Sequence, residues 1–165
     1  MTQLEPPDHY YFSAAEGWLV LGSPSDALEE LGRVSSALQD HPDVLLLRWH
    51  ACAKMKDWKA CVEAGRRLLA ASPGAVSSWQ NYANSLFYEK RYQEAFDTLF
   101  PAIEKFPSEW SIPYNLACYQ CQSGKLEEAI TWLKMALALG NPAEVKKHAL
   151  NDPDLGPLKE SVPGL

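Results

Sequence analysis

Residues 79–107 read WQNYANSLFYEKRYQEAFDTLFPAIEKFP. In the first part of this stretch, Trp79, Tyr82 and Leu86 recur three and four positions apart, which places them on one face of a helix. The second part repeats that spacing, and Pro107 ends it because proline cannot continue a helix. The stretch therefore predicts two amphipathic helices, at about 76–89 and 92–105, joined as a hairpin.

The same pattern extends outward with a period of 34 residues. Small, apolar or aromatic residues recur at this step in four series: Ala27, Cys61, Ala95 and Ala129; Pro24, Trp58, Tyr92 and Leu126; Leu31, Gly65, Leu99 and Leu133; and Val34, Leu68, Ala102 and Ala136. A period of this length is typical of stacked helix–turn–helix units, none of which can bury its own apolar face. The fold class predicted is all-α, a right-handed solenoid of about four hairpins.

The period divides the chain into four repeats within a single domain, 1–165. The repeats span 8–41, 42–75, 76–109 and 110–141, and their helices are predicted at 8–21, 25–39, 42–54, 58–71, 76–89, 92–105, 110–122 and 126–139. The second repeat departs from the pattern, because Trp49 stands where a small residue is expected.

A ninth helix is predicted after the last repeat. Asn141 is a candidate N-cap and Pro142 a first helical residue. We expect residues 142–165 to form a C-terminal cap over the exposed edge of the array, with Leu155 and Leu158 among its anchors.

Composition excludes several classes of protein. A net charge of −6 disfavours nucleic-acid binding, which requires clustered Lys and Arg. No apolar run approaches the roughly 20 residues of a membrane span, and no secretory signal precedes the first predicted helix. The sequence predicts a cytoplasmic protein.

The repeats resemble the tetratricopeptide repeat (TPR) family, whose motif reads W-x2-L-G-x2-Y, then A-x3-F, then P. The third repeat matches best, from Trp79 through Ala95 to Pro107, and the fourth follows with Ala117, Gly124 and Ala129. The resemblance covers about 8–141. It implies a concave groove lined by the first helix of each hairpin, in which a protein segment binds.

Matching position by position, this resemblance assigns a partner-binding set with aromatic and amide side chains. Its members are Leu46, His50, Lys54, Gln80, Asn84, Phe87, Tyr88, Tyr114, Asn115, Cys118, Cys121 and Gln122. Asn84 and Asn115 also occupy the asparagine positions of the carboxylate clamp found in chaperone-binding TPR adaptors. Gln80 replaces the first lysine of that clamp, and without cations a bound carboxylate loses its strongest hydrogen bonds.

Chemistry beyond binding has weak support. Cys118 and Cys121 form a lone CxxC, whereas structural zinc needs four ligands, so a metal or redox role for this pair is the minor alternative. No phosphate-binding loop, nucleophile motif or zinc helix is present. We therefore predict a non-enzyme without a cofactor.

The main hypothesis is a scaffold or adaptor that binds a protein through the groove or the ends of the array. Two narrower interpretations rest on the size and style of the chain. One is a kinesin-light-chain-like bacterial protein that accompanies bacterial tubulin filaments, and the other is a class II chaperone of type III secretion.

Overall fold

The structure is a computed structural model that describes residues 4–165. Met1–Gln3, the start of the segment considered above for a secretory signal, lie outside the described residues. Within 4–165 there are helices and 3₁₀ turns but no β-strand, which confirms the all-α class. The helices are α1 Asp8–Val20, α2 Pro24–Arg33, α3 Pro42–Lys54, α4 Trp58–Ala71, α5 Val76–Tyr88, α6 Tyr92–Leu99, α7 Ala102–Lys105, α8 Ser111–Gln122, α9 Leu126–Leu139 and α10 Pro142–Asn151; the 3₁₀ turns are Ser36–Leu38, Pro153–Leu158 and Val162–Gly164.

Several helix starts follow from capping residues that the sequence carries. Asp57 accepts a hydrogen bond from the Ala60 amide at 3.0 Å and begins α4. Asn141 does the same for the Ala143 amide at 3.0 Å, so α10 begins at Pro142 as predicted. Each cap satisfies one of the amides that a helix start leaves without a partner.

Two predicted helices are wrong in extent. α2 ends at Arg33 rather than at 39, because Val34 turns to an extended conformation and is buried. The Gln39 side chain then donates to the Leu31 and Val34 carbonyls at 2.9 and 2.7 Å, which satisfies the end of the helix. The second helix of the third repeat is split into α6 and α7 at Pro101, which has no amide hydrogen to donate.

The turn inside each hairpin has a backbone signature with the same period as the sequence. The residues with positive φ are Gly22, Lys56, Lys90 and Gly124, each 34 positions from the next, with φ between 57° and 82°. This left-handed conformation suits glycine, whereas a side chain on Cβ crowds the following carbonyl. The second and third hairpins thus carry lysine where the first and fourth carry the better residue.

Replacing Lys90 with glycine should therefore stabilise the protein. We expect the free energy of unfolding to rise by about 0.5–1 kcal/mol, since relief of the left-handed strain outweighs the extra chain entropy of glycine. Chemical denaturation measures the change. Gly124→Ala is the reverse control, since Gly124 has φ 82° and should lose stability on substitution. A Lys90→Gly variant less stable than the parent would contradict this account.

The chain divides into two compact units, Met1–Ser85 and Leu86–Leu165, and each is described by itself. The single domain remains a prediction. In the first unit α1 packs on α2, α3 on α4, and α2 on α3. Trp49, the departure from the repeat pattern, donates its indole N–H to the Asn81 carbonyl at 3.1 Å and the Ser85 hydroxyl at 2.8 Å. The large side chain thus connects α3 to α5.

In the second unit α8 is the central element. It packs against α9, α6, α7 and the 3₁₀ turn Pro153–Leu158. Leu155 and Leu158 of that turn are buried, as predicted for the cap. The α10 helix lies against α9. None of the helices in the described part of the chain has both the length and the apolar character needed to cross a membrane.

Candidate binding surfaces and related structures

The first unit presents its predicted groove residues on two helices. Leu46, His50 and Lys54 lie one turn apart on α3, with His50 and Lys54 exposed. The Lys54 ammonium donates to the Leu19 carbonyl at 3.1 Å. Partial burial of the ring, together with the positive charge of Lys54, lowers the pKa of His50. Gln80 and Asn84 lie half-buried one turn apart on α5.

In the second unit the prediction of an open groove is wrong for much of α8. Tyr114, Cys118 and Cys121 are buried, with 7%, 5% and 3% of their surface exposed. The cause is the chain's own C-terminal segment, because the turn Pro153–Leu158 packs on α8. Asn115 and Gln122 remain half-buried.

Specific hydrogen bonds hold this C-terminal segment in place. The Tyr114 hydroxyl donates to the Asp152 carboxylate at 2.8 Å, and the Cys118 thiol donates to the same oxygen at 3.8 Å. The Gln122 side-chain amide donates to the Asp154 carbonyl at 2.7 Å. Three residues assigned to a partner are therefore bound within the molecule.

The Asp152 contacts also have an electrostatic cause and consequence. Burial, followed by the hydrogen bond to Asp152, raises the pKa of Tyr114. Burial and the charges of Asp152 and Asp154 raise the pKa of Cys118, so this thiol stays protonated. Sequence reasoning placed a turn-rich tail here but not the face it covers. The Asp-Pro-Asp sequence at 152–154 was the available signal, since Asp152 also accepts from the Asp154 amide at 2.9 Å.

Phe87 and Tyr88 are adjacent on α5 but have opposite environments. Phe87 is 6% exposed, with its ring centroid 5.1 Å from that of Tyr119 and 5.4 Å from that of Tyr92. Tyr88 is 48% exposed. Partial burial, with the negative charges of Asp154 and Asp152 nearby, raises the pKa of Tyr88. Tyr88 is thus the predicted aromatic residue that remains available at the surface of this unit.

A separate open cleft of about 470 Å³ lies beside α10. Trp110 lines it together with Glu144, Lys147, His148 and Asn151. The His148 ring lies 6.2 Å from the Trp110 ring. The sequence analysis did not single out this cleft. Among residues 4–165, no three His, Cys, Asp or Glu side chains converge as a metal site would require.

Comparison with known proteins identifies the architecture. MamA from Desulfovibrio magneticus RS-1 superposes with a TM-score of 0.76 over 99% of this chain and 97% of its own, at 20% identity. A MamA double mutant gives a TM-score of 0.78 over 98% of this chain and 92% of that one, at 19% identity. YrrB, described as a TPR protein with an unusual peptide-binding site, gives 0.76 over 87% of this chain and 74% of its own, at 16% identity.

The chain has the TPR fold. This confirms the resemblance inferred from the repeat motif and the class of helical-hairpin solenoids to which such proteins belong. No protein-family model matches the sequence, and no curated protein matches it. The structures compared here give no support to the kinesin-light-chain-like interpretation, which stays a prediction.

Proposed function

We propose that this TPR chain is a non-enzymatic scaffold that binds a segment of another protein, with Tyr88 as its aromatic contact in the second unit. The TPR fold supports the general role, and YrrB shows that a protein of similar fold can have a peptide-binding site. The observation that carries the proposal is the half-exposed Tyr88 ring on an otherwise packed α5 terminus.

The surroundings of Tyr88 suit a contact site. Phe87, directly before it, is fixed by the Tyr119 and Tyr92 rings, so the backbone that carries Tyr88 is held by the core. A rigid aromatic side chain loses little conformational entropy on binding, and tyrosine is enriched at the centres of interfaces. The carboxylate of Asp154 lies near enough to Tyr88 to raise its pKa. The patch therefore combines an apolar ring with hydrogen-bond acceptors.

Composition also restricts the kind of partner. The net charge of −6 disfavours a polyanion such as nucleic acid, since phosphate binding depends on Lys and Arg. A protein segment with apolar and donor groups fits the Tyr88 patch better. We infer a cytoplasmic location from the same reasoning that was applied to the sequence.

Site-specific photo-crosslinking tests the location. A photoreactive phenylalanine analogue at position 88 should capture the partner in the native cell. The same analogue at Lys147, in the Trp110 cleft, serves as the matched control. Capture from position 147 alone would move the site to the cleft.

Tyr88→Ala should weaken binding of the purified partner by about 5-fold or more, as expected for an interface aromatic residue. Tyr88→Phe retains the ring and should bind within about twofold of the parent, since only the hydroxyl is lost. Calorimetric titration of the parent and both variants measures these changes. Equal affinity for all three proteins would exclude Tyr88 from the interface.

A further inference from the structure

The second hairpin contains a pair of thiols that the binding role does not use. Cys52 lies on α3 and Cys61 on α4, and both are free and buried, with 5% and 0% of their surface exposed. Cys61 stands at the small-residue position that Ala27, Ala95 and Ala129 fill in the other hairpins. At the positions matching Cys52 the other repeats carry Trp18, Leu86 and Gln120. The second hairpin is thus the one that places cysteine at both positions.

The hairpin geometry brings these thiols together. α3 packs against α4, and the side chains of Cys52 and Cys61 are hydrogen-bonded to each other. The Cys61 sulfur also lies 3.8 Å from the Trp49 carbonyl oxygen. The two sulfur atoms therefore face each other across the hairpin, so a covalent bond requires only a local side-chain shift.

The charges around the pair favour a thiolate on Cys52. Arg48 lies one turn before Cys52 on α3, and its side chain is fixed by the Gln39 side-chain oxygen at 2.6 Å. The Arg48 Nε is buried and has no hydrogen-bond partner among the described residues. Asp57 opposes the effect of Arg48.

The balance differs between the two thiols. The hydrogen bond from Cys61, helped by Arg48, lowers the pKa of Cys52 despite its burial. That same hydrogen bond, followed by burial, raises the pKa of Cys61. A low-pKa thiolate beside a protonated thiol is the arrangement in which one cysteine reacts and the second resolves the product.

We propose that Cys52 and Cys61 form a redox-active pair that a hydroperoxide converts to a disulfide across the second hairpin. The Cys52 thiolate attacks one peroxide oxygen, the O–O bond breaks, and the leaving oxygen takes a proton, which leaves a sulfenic acid on Cys52. The Cys61 sulfur then attacks the Cys52 sulfur, the S–O bond breaks, and water leaves. With hydrogen peroxide, two thiols are oxidised and one peroxide is reduced to two water molecules.

The second pair of cysteines provides an internal control. Cys118 and Cys121 lie on the same helix, and Cys118 donates to the Asp152 carboxylate instead of to Cys121. No cation stabilises a thiolate there, and burial with the charges of Asp152 and Asp154 raises the pKa of Cys118. Cys52 should therefore react with peroxide at least about tenfold faster than Cys118.

Peptide mapping of the full chain tests the proposal directly. The purified protein is treated with limiting hydrogen peroxide, blocked with an alkylating agent in denaturant and digested with trypsin. The expected product links peptides 49–54 and 60–66, weighs two hydrogens less than their sum, and separates on reduction with dithiothreitol. A map that shows all four cysteines alkylated equally after treatment, or oxidation first at Cys118 and Cys121, would overturn the proposal.

Single substitutions separate the roles of the two thiols. Cys61→Ser should trap Cys52 as a sulfenic acid that dimedone labels, whereas Cys52→Ser should leave Cys61 unmodified at the same peroxide dose. The double variant with Cys118→Ser and Cys121→Ser should form the crosslink as fast as the parent. Equal dimedone labelling at Cys61 in the Cys52→Ser variant would contradict the assignment of Cys52 as the reacting thiol. The crosslink in the parent protein remains decisive even if a variant folds poorly.

Discussion

Replacing Phe87 with alanine should lower the free energy of unfolding by about 3–5 kcal/mol, the range for removing a buried aromatic ring. The ring is 6% exposed and lies within 5.1 Å of the Tyr119 ring and 5.4 Å of the Tyr92 ring, measured between centroids. The neighbours cannot close the resulting cavity without moving α8, which is packed on several sides. Urea denaturation followed by circular dichroism measures the loss.

The neighbouring residue is the matched control for this prediction. Tyr88 is 48% exposed, so Tyr88→Ala should cost less than about 1 kcal/mol of stability. The two adjacent substitutions thus separate stability from binding. If Phe87→Ala unfolded at the same urea concentration as the parent, the packing described for α5 and α8 would be incorrect.

Replacing Gly65 with alanine should destabilise the first unit by about 1–3 kcal/mol, as overpacking does. A Cβ on Gly65 would lie 2.8 Å from the Tyr82 Cα and 3.2 Å from the Tyr82 nitrogen. Both atoms belong to the backbone of α5, so α4 and α5 must separate to admit one methyl group. Thermal and urea denaturation of the variant measure the cost.

Gly32 supplies the control for this substitution. It also lies in a helix, and a Cβ there would meet nothing within 4 Å. Gly32→Ala should therefore gain about 0.5–1 kcal/mol from the better helix propensity of alanine. A similar loss at both glycines would mean that the close approach of Gly65 to Tyr82 does not determine the result.

The repeat architecture could be predicted from the sequence because it depends on local spacing. Small residues such as Ala27 and Ala95 must recur wherever two helices approach closely, and this leaves a period that can be counted. The α10 start was equally accessible, since Asn141 and Pro142 carry their structural preference in their own chemistry.

The errors arose where a distant segment determines the environment. The burial of Tyr114 and Cys118 depends on where the Asp152 carboxylate lands, and nothing near either residue in sequence indicates that. The same holds for Phe87 and Tyr88, since periodicity alone does not distinguish the packed ring from the exposed one. The early end of α2 at Arg33 reflects tertiary burial of Val34.

The bonding of the C-terminal segment to α8 has a consequence for how this array could grow or shrink in evolution. The segment recognises Tyr114 and Gln122 by their donor groups. At the matching positions one repeat earlier, the chain carries Gln80 and Tyr88 instead. Deleting the fourth repeat would leave the terminal segment without its matching donors, so the end of the chain specifies which hairpin must come last. Lengthening is tolerated upstream of that hairpin, where a unit of 34 residues can be inserted without altering the terminal lock.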